Sequence, residues 1–166
     1  GILNRTEGNE SIALGYLNST SGYKSCTVGY NNTSSSWYSS SFGLYNTTST
    51  SDNCASFGNQ NVSSGSSSSS FGINNTSSGL YSSSFGKGNL SSGEKSSAFG
   101  YQNDSTSNKS SSFGYNNTAN GYKSLAVGSS NLSGASGALS LGNLNNATFN
   151  SACAIGDTNQ ARGISA

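Results

Sequence analysis

Hydrophobic and polar residues follow one another along this chain with a period of fourteen residues. Each period contains a segment like residues 11–15, Ser-Ile-Ala-Leu-Gly, in which a large apolar residue directly precedes a glycine. We call this glycine the anchoring glycine and number it position 0; only the step from Gly43 to Gly58 is fifteen residues long. A short fixed period over a whole chain predicts a solenoid. The anchoring glycines are Gly15, Gly29, Gly43, Gly58, Gly72, Gly86, Gly100, Gly114, Gly128, Gly142 and Gly156.

The residues before each anchoring glycine alternate in size. Position −1 is always large and apolar; where it is Phe, position −3 is Ser or Ala, and where it is Leu, Val or Ile, position −3 is Ile, Leu or Cys. Residues two apart on a strand share a face, so this compensation predicts that both columns fill one narrow core of constant volume. Positions −2 and −4 hold nothing larger than Thr. We therefore predict that they form a flat outward face, which packs against another protomer.

A second strand is predicted after each anchoring glycine. Position +3 is Asn in every period, from Asn4 to Asn159, and position +5 is always Ser, Thr or Ala. The residue between them varies, so positions +3 and +5 are predicted to face inward. A second glycine, often at position +7, predicts another turn with positive φ. The fold class is thus an all-β parallel solenoid of about twelve 14-residue coils with two short strands each, forming a single domain over residues 1–166, with a bulge or longer turn near Asp52 and Asn53.

Three segments resemble a known repeat family. Residues 11–15 (Ser-Ile-Ala-Leu-Gly), 114–118 (Gly-Tyr-Asn-Asn-Thr) and 121–128 (Gly-Tyr-Lys-Ser-Leu-Ala-Val-Gly) resemble the head repeats of trimeric autotransporter adhesins. Related repeats also occur in viral and phage fibres. The resemblance implies a left-handed parallel β-roll, a homotrimer, and an extracellular location on a cell or virion surface. We interpret the sequence as a repeat fragment of such a protein.

Composition and charge argue against several classes of function. The net charge of +1 provides no positive electrostatic field that would attract nucleic acid, and no apolar run is long enough for membrane insertion. There is no His, and the six acidic residues lie mostly on different coils, so we expect no enzyme activity, catalytic residue, metal site or cofactor. The cysteines do not form a disulfide framework. Cys26 and Cys153 occupy position −3 and are interpreted as small buried hydrophobic residues.

Aromatic residues in two columns are the candidate binding or interface residues. They are expected to bind a glycan or a host-surface protein, or to pack between protomers. Lysines at position +9 are interpreted as solubility devices. The aromatic candidates are Tyr16, Tyr30, Tyr101 and Tyr115 at position +1, and Tyr23, Trp37 and Tyr122 at position +8.

Many asparagines stand in Asn-x-Ser/Thr sequons. Nine of them belong to the inward column at position +3 and are predicted to be unmodified, because glycans must lie on the surface. The inward sequons start at Asn4, Asn18, Asn32, Asn46, Asn61, Asn75, Asn89, Asn103 and Asn131. The outward candidates for glycosylation are Asn31, Asn74, Asn116, Asn9 and Asn108.

The sequence therefore predicts a non-enzymatic surface fibre or adhesin head with a structural and attachment role. Two alternatives stay open. One is an ice-binding protein that uses the flat Ser/Ala/Thr face, and the other is a structural filament subunit.

Overall fold

The computed structural model describes residues 1–163, which form a parallel β-solenoid without helices. Within these residues no helix is long and apolar enough to cross a membrane. Each full coil contributes a five-residue strand and a two-residue strand, so the predicted fold class is confirmed. The long strands are Ile12–Tyr16, Cys26–Tyr30, Ser40–Leu44, Ala55–Asn59, Ser69–Ile73, Ser83–Lys87, Ser97–Tyr101, Ser111–Tyr115, Leu125–Ser129, Leu139–Asn143 and Cys153–Asp157. The short strands are Arg5–Thr6, Ser19–Thr20, Thr33–Ser34, Thr47–Thr48, Val62–Ser63, Thr76–Ser77, Leu90–Ser91, Asp104–Ser105, Thr118–Ala119, Leu132–Ser133, Asn146–Ala147 and Gln160–Ala161.

The long and short strands form two separate parallel sheets, of eleven and twelve strands in the described residues. Every strand pairs with the equivalent strand of the next coil, as when Phe71 pairs with Phe85 and Gly72 with Gly86. The pairing skips no residue, so each position of the repeat becomes a straight column of like residues. Backbone pairing between coils therefore converts the sequence period directly into a surface pattern.

The interior is lined by the small residues at positions −2 and −4, and the prediction that positions −1 and −3 form the core is wrong. Ser84 at position −2 is fully buried, whereas Phe85 beside it is only half-buried and Leu14 is 54% exposed. Side chains alternate along a strand, so a shift of one residue moves a whole set to the other face. The predicted outward face is thus the interior. Cys26 is half-buried and Cys153 exposed, which also overturns their interpretation as buried residues.

Serine hydroxyl groups in the narrow interior donate hydrogen bonds to backbone carbonyls of the opposite sheet. Ser84 Oγ donates to the carbonyl of Thr76 at 2.8 Å, and Ser91 Oγ donates to that of Ser83 at 2.7 Å. A buried hydroxyl costs free energy unless it forms such a bond. Hydrogen bonds between the two sheets thus replace the apolar packing of an ordinary core, and they leave no room for Phe.

The asparagine column at position +3 faces inward, as predicted. Asn89 Nδ2 lies 3.0 Å from Oδ1 of Asn75 in the preceding coil, 2.9 Å from the carbonyl of Phe85 and 2.8 Å from that of Gly100 in the next coil. Its Oδ1 accepts from the backbone N–H of Asn103 at 2.9 Å. One side chain therefore connects three successive coils, and its repetition forms a continuous ladder.

The anchoring glycines are required by both conformation and space. Gly86 has a φ of 117°, and a Cβ there would lie 2.1 Å from the carbonyl oxygen of Gly100. The prediction of positive φ at position +7 is wrong: Gly79 lacks it, although a Cβ there would also lie 2.0 Å from the carbonyl oxygen of Gly93. The left-handed residues are instead at positions +2 and +9, as at Lys95 with a φ of 56°.

The extra residue before Gly58 lies in the turn predicted to contain it. Thr50 and Asn53 have left-handed φ values there, and Trp37 N–H donates to Asp52 Oδ1 at 3.1 Å. The long strands on either side still pair in register. The insertion changes only the corner, and Cys54 directly after it is buried.

Candidate functional site: an outer apolar face and two aromatic corners

The outside of the long-strand sheet carries an uncharged surface with a large apolar residue at position −1 of every coil, which we call the outer apolar face and define as positions −3 and −1; position −3 is Ser on five of the eleven coils. It extends from Ile12 to Ile155 and contains no charged side chain on any of its eleven coils. Its ends are the most open parts, since Leu14 is 54% and Ile155 is 56% exposed. Exposed apolar surface of this extent is uncommon on monomeric soluble proteins.

Six phenylalanines form a stacked ridge along the middle of the outer apolar face, from Phe42 to Phe113. Adjacent ring centroids are 4.7–5.3 Å apart, and the rings are inclined by 2–23°. Offset aromatic pairs contribute about 0.5–1.5 kcal/mol each beyond their area burial. The stack orders the rings of neighbouring coils against one another while one side of the ridge stays open.

The size compensation between positions −1 and −3 is therefore a property of an outer surface. Side chains that face only water have no volume to conserve, and position +4, on the outside of the other sheet, shows this freedom with Arg5, Val62, Leu90 and Asp104. Close packing against a second surface does require constant volume. Constant side-chain volume along the outer apolar face is therefore the pattern that such packing requires.

The first aromatic corner lies at position +1, at the end of each long strand. Tyr16 stacks on Tyr30 with centroids 5.4 Å apart, and Tyr101 stacks on Tyr115 at 5.3 Å. The structure thus brings these four predicted residues together as two separate pairs. The corner borders the outer apolar face and widens the surface available to a partner.

The second aromatic corner contains only two of its three predicted residues in one cluster. Tyr23 and Trp37 meet edge to face at 6.0 Å, and Tyr38, which the sequence reasoning missed, meets Tyr23 at 5.6 Å. Trp37 is 58% exposed and lines a groove with Tyr23, Glu7, Gly8, Asn9 and Ser21. Tyr122 lies six coils farther along. Tyr38 follows Trp37 directly at position +9, and that adjacency was the available signal.

The sequon asparagines divide between interior and surface: eight of the nine in the inward column are buried, and Asn4 in the first coil is half-buried. Asn61 and Asn75 are fully buried in the ladder. Attachment of a sugar at either residue would break hydrogen bonds to both neighbouring coils. The five outward candidates are all exposed, namely Asn9, Asn31, Asn74, Asn108 and Asn116.

The Ser/Ala/Thr columns cannot bind ice or a second protomer, because the structure places them inside the solenoid. Among the described residues, no cluster of three His, Cys, Asp or Glu side chains could hold a metal ion. Comparison with models of known protein families and with functionally characterised proteins finds no match for this chain.

Proposed function

We propose that this chain is a subunit of a non-enzymatic extracellular or virion-surface fibre, a homotrimer in which three solenoids pack side by side through the outer apolar face. The observation that carries the proposal is the charge-free, size-compensated face over eleven coils. The trimer itself rests on the resemblance of the repeat to adhesin heads. The outer apolar face replaces the Ser/Ala/Thr columns as the proposed interface.

The dimensions of the face suit a stable interface. Ten coil steps of about 4.8 Å and a five-residue strand of about 16 Å give a surface of roughly 800 Å² per chain. A trimer divides this surface between two neighbours, so each chain buries in total about as much surface as one partner buries in a standard interface, about 800 Å². The estimate includes the first aromatic corner, so the tyrosines at position +1 belong to the proposed contact.

A three-fold axis parallel to the solenoid keeps equivalent coils at the same height. Each chain then presents the same two edges of its face to its two neighbours, and the assembly closes without open ends. The summed volume of positions −1 and −3 is similar on every coil. A parallel arrangement, in which equivalent coils meet, therefore keeps the volume between the chains constant along the whole rod. The Phe ridge of each chain then meets the Phe ridges of the others.

Sedimentation analysis of charged variants tests this assembly. The double variant Phe71→Glu/Phe99→Glu places charges on the outer apolar face and is expected to sediment as a monomer with unchanged far-UV circular dichroism. The control Thr76→Glu/Thr118→Glu adds the same charge to half-buried positions on the outside of the short-strand sheet and is expected to stay trimeric. A wild type that is monomeric at every concentration would refute the proposal.

The native cysteines report the direction of the chains. Cys26 and Cys153 lie on the outer apolar face, whereas Cys54 is buried and burial raises the pKa of its thiol. A short bifunctional thiol reagent is expected to join Cys26 to Cys26 and Cys153 to Cys153 between chains, with Cys54 unmodified. Links between Cys26 and Cys153 would show an antiparallel assembly and contradict the parallel trimer.

An attachment role for the same fibre is supported by the groove at the second aromatic corner. Exposed aromatic rings beside the carboxylate of Glu7 and the amide of Asn9 are suited to the apolar faces and hydroxyls of a sugar. Trp37 is the only tryptophan of the chain, so its fluorescence reports occupancy directly. A screen of neutral glycans that gives no spectral shift would refute attachment through this groove.

A further inference from the structure

Three of the five lysines form a column on three successive coils at position +9, which we call the lysine strip: Lys95, Lys109 and Lys123. The backbone N–H of Lys109 donates to the carbonyl of Glu94 at 2.7 Å, and that of Lys123 donates to Asn108 at 3.1 Å. These bonds stack the three residues one coil apart, about 4.8 Å along the rod. All three residues are exposed.

The charges of the lysine strip are incompletely neutralised. Lys95 Nζ lies 2.8 Å from Glu94 Oε1, and Glu94 is the carboxylate whose pKa the lysine ammonium groups lower. Among the described residues, neither Lys109 nor Lys123 forms a salt bridge. Like charges one coil apart repel each other. An anion lying along the strip would remove that repulsion.

Tyrosine rings hold the lysine side chains of the strip in place. The ammonium groups of Lys109 and Lys123 lie 5.7 and 5.1 Å from the ring centroid of Tyr122, and that of Lys95 lies 5.9 Å from the ring centroid of Tyr81. Hydrogen bonding and charge from Lys109, together with the charge of Lys123, lower the pKa of Tyr122. Two ammonium groups and one phenol therefore converge at one point of the corner.

The backbone at these positions is unfavourable for lysine. Lys95, Lys109 and Lys123 all have left-handed φ values of 56–60°, where glycine or asparagine carries less strain. The same column contains Gly137 in the coil after Lys123. Lysine on three successive coils thus combines backbone strain with charge repulsion, and dispersed lysines would supply the same solubility without the repulsion.

We propose that the lysine strip binds a linear anionic polysaccharide that presents anionic groups at the spacing of the coils. The straight column suits an extended polyanion, and the ligand's negative charge complements the unpaired ammonium groups. Single-stranded nucleic acid fits less well, because it needs free aromatic faces for base stacking. Here ammonium groups lie over the rings of Tyr81 and Tyr122. The inference is independent of the trimer, since it uses one corner of one chain.

The test measures binding of dextran sulfate, polygalacturonate (one carboxylate on every sugar unit), neutral dextran and oligo(dT) by isothermal titration at low salt. Binding of dextran sulfate or polygalacturonate supports the proposal, and the tighter of the two distinguishes sulfate from carboxylate recognition. Binding must weaken with salt, because ammonium–anion contacts are screened. Absence of binding to both polysaccharides, or tighter binding of oligo(dT), would overturn it.

Matched variants separate the strip from net charge. Lys109→Gln/Lys123→Gln is expected to weaken binding about tenfold, since it removes two adjacent contacts. Lys24→Gln/Lys87→Gln removes the same charge elsewhere and is expected to change the affinity less than about twofold. Equal losses in both variants would show unspecific attraction and overturn the site. Circular dichroism verifies that both variants keep the fold.

Discussion

The asparagine ladder gives the sharpest prediction about what holds the solenoid together. Replacement of Asn89 by Ala in the middle of the rod removes a buried amide that contacts the coils on both sides. The backbone N–H of Asn103 loses its acceptor, Asn89 Oδ1, at 2.9 Å. The amide of Asn103 keeps two other acceptors, the carbonyls of Phe99 and Gly114, so its hydrogens stay satisfied.

The magnitude follows from counting these groups. An orphaned buried donor costs about 1–3 kcal/mol, and the two amide hydrogens of Asn89 contribute about 0.5–1.5 kcal/mol each, so the loss is about 2–6 kcal/mol. A water molecule that entered the vacated space would find the N–H of Asn103 and the carbonyls of Phe85 and Gly100 as partners. Hydration of the site would place the measured value in the lower half of that range.

Urea unfolding followed by circular dichroism measures the loss. The control Asn150→Ala changes an exposed asparagine and is expected to stay within about 0.5 kcal/mol of wild type. A loss for Asn89→Ala as small as that of the control would refute the ladder as a source of stability.

Replacement of Asn89 by Asp adds a test through pH. A carboxylate there would face the oxygens of Asn75, Phe85 and Gly100, which lie 2.8–3.0 Å from the present Nδ2. Burial and these oxygens raise its folded pKa above the ordinary value of about 3.9. Because the folded pKa is the higher one, the variant loses stability as the pH rises from the unfolded pKa of about 3.9 to the folded pKa. Relative to wild type, the Asp variant should therefore be more stable at acidic than at neutral pH. A pH-independent difference would contradict the assigned environment.

Three further predictions concern register, glycines and glycans. Ser84→Leu should unfold the chain or strongly lower its melting temperature because position −2 is closed, whereas Ser83→Leu one residue earlier should leave the monomer folded; similar melting temperatures would contradict the register. Gly86→Ala should destabilise by several kcal/mol because its Cβ meets a carbonyl oxygen and its φ is 117°, whereas Gly88→Ala, whose nearest neighbour is at 3.5 Å, should cost only the strain of its left-handed φ of 68°, about 1–2 kcal/mol. In a eukaryotic secretory host, mass spectrometry should find sugar at exposed position +2 sequons and none on Asn75.

The period, the coil and the asparagine ladder could all be predicted from the sequence, because each rests on a residue type that recurs without exception. The interior of the long-strand sheet could not. Both alternating sets satisfy a packing rule: positions −1 and −3 conserve volume, and positions −2 and −4 have a size limit. The usual preference for large apolar residues inside proteins predicts that positions −1 and −3 face the interior. In the structure, positions −2 and −4 face the interior instead.

The size limit at position −2 is the decisive signal, and its cause is the opposite strand of the same chain, not a second protomer. Nothing larger than Thr fits at position −2, because Ser84 there reaches the opposite strand of its own chain in one hydrogen bond of 2.8 Å. The closest approach is within the coil. Volume conservation, in turn, belongs to the outer apolar face, where we propose that another chain packs. Both sequence patterns are real, but the inner and outer faces that the sequence suggests for them are exchanged in the structure.

This exchange has a consequence for stability. Within the described residues the buried hydrophobic side chains are those of Cys54 and alanines, so the interior of one chain buries little large apolar surface. Interior hydrogen bonds give small net contributions, about 0.5–1.5 kcal/mol each, although leaving them unmade is costly. The large apolar residues, including the Phe ridge, remain on the outside of the chain. In the trimer that we propose, folding of one chain depends on directional bonds, and hydrophobic stabilisation comes with assembly. The melting temperature should consequently rise with protein concentration, and a Phe71→Glu/Phe99→Glu variant should lose that dependence while keeping the coil.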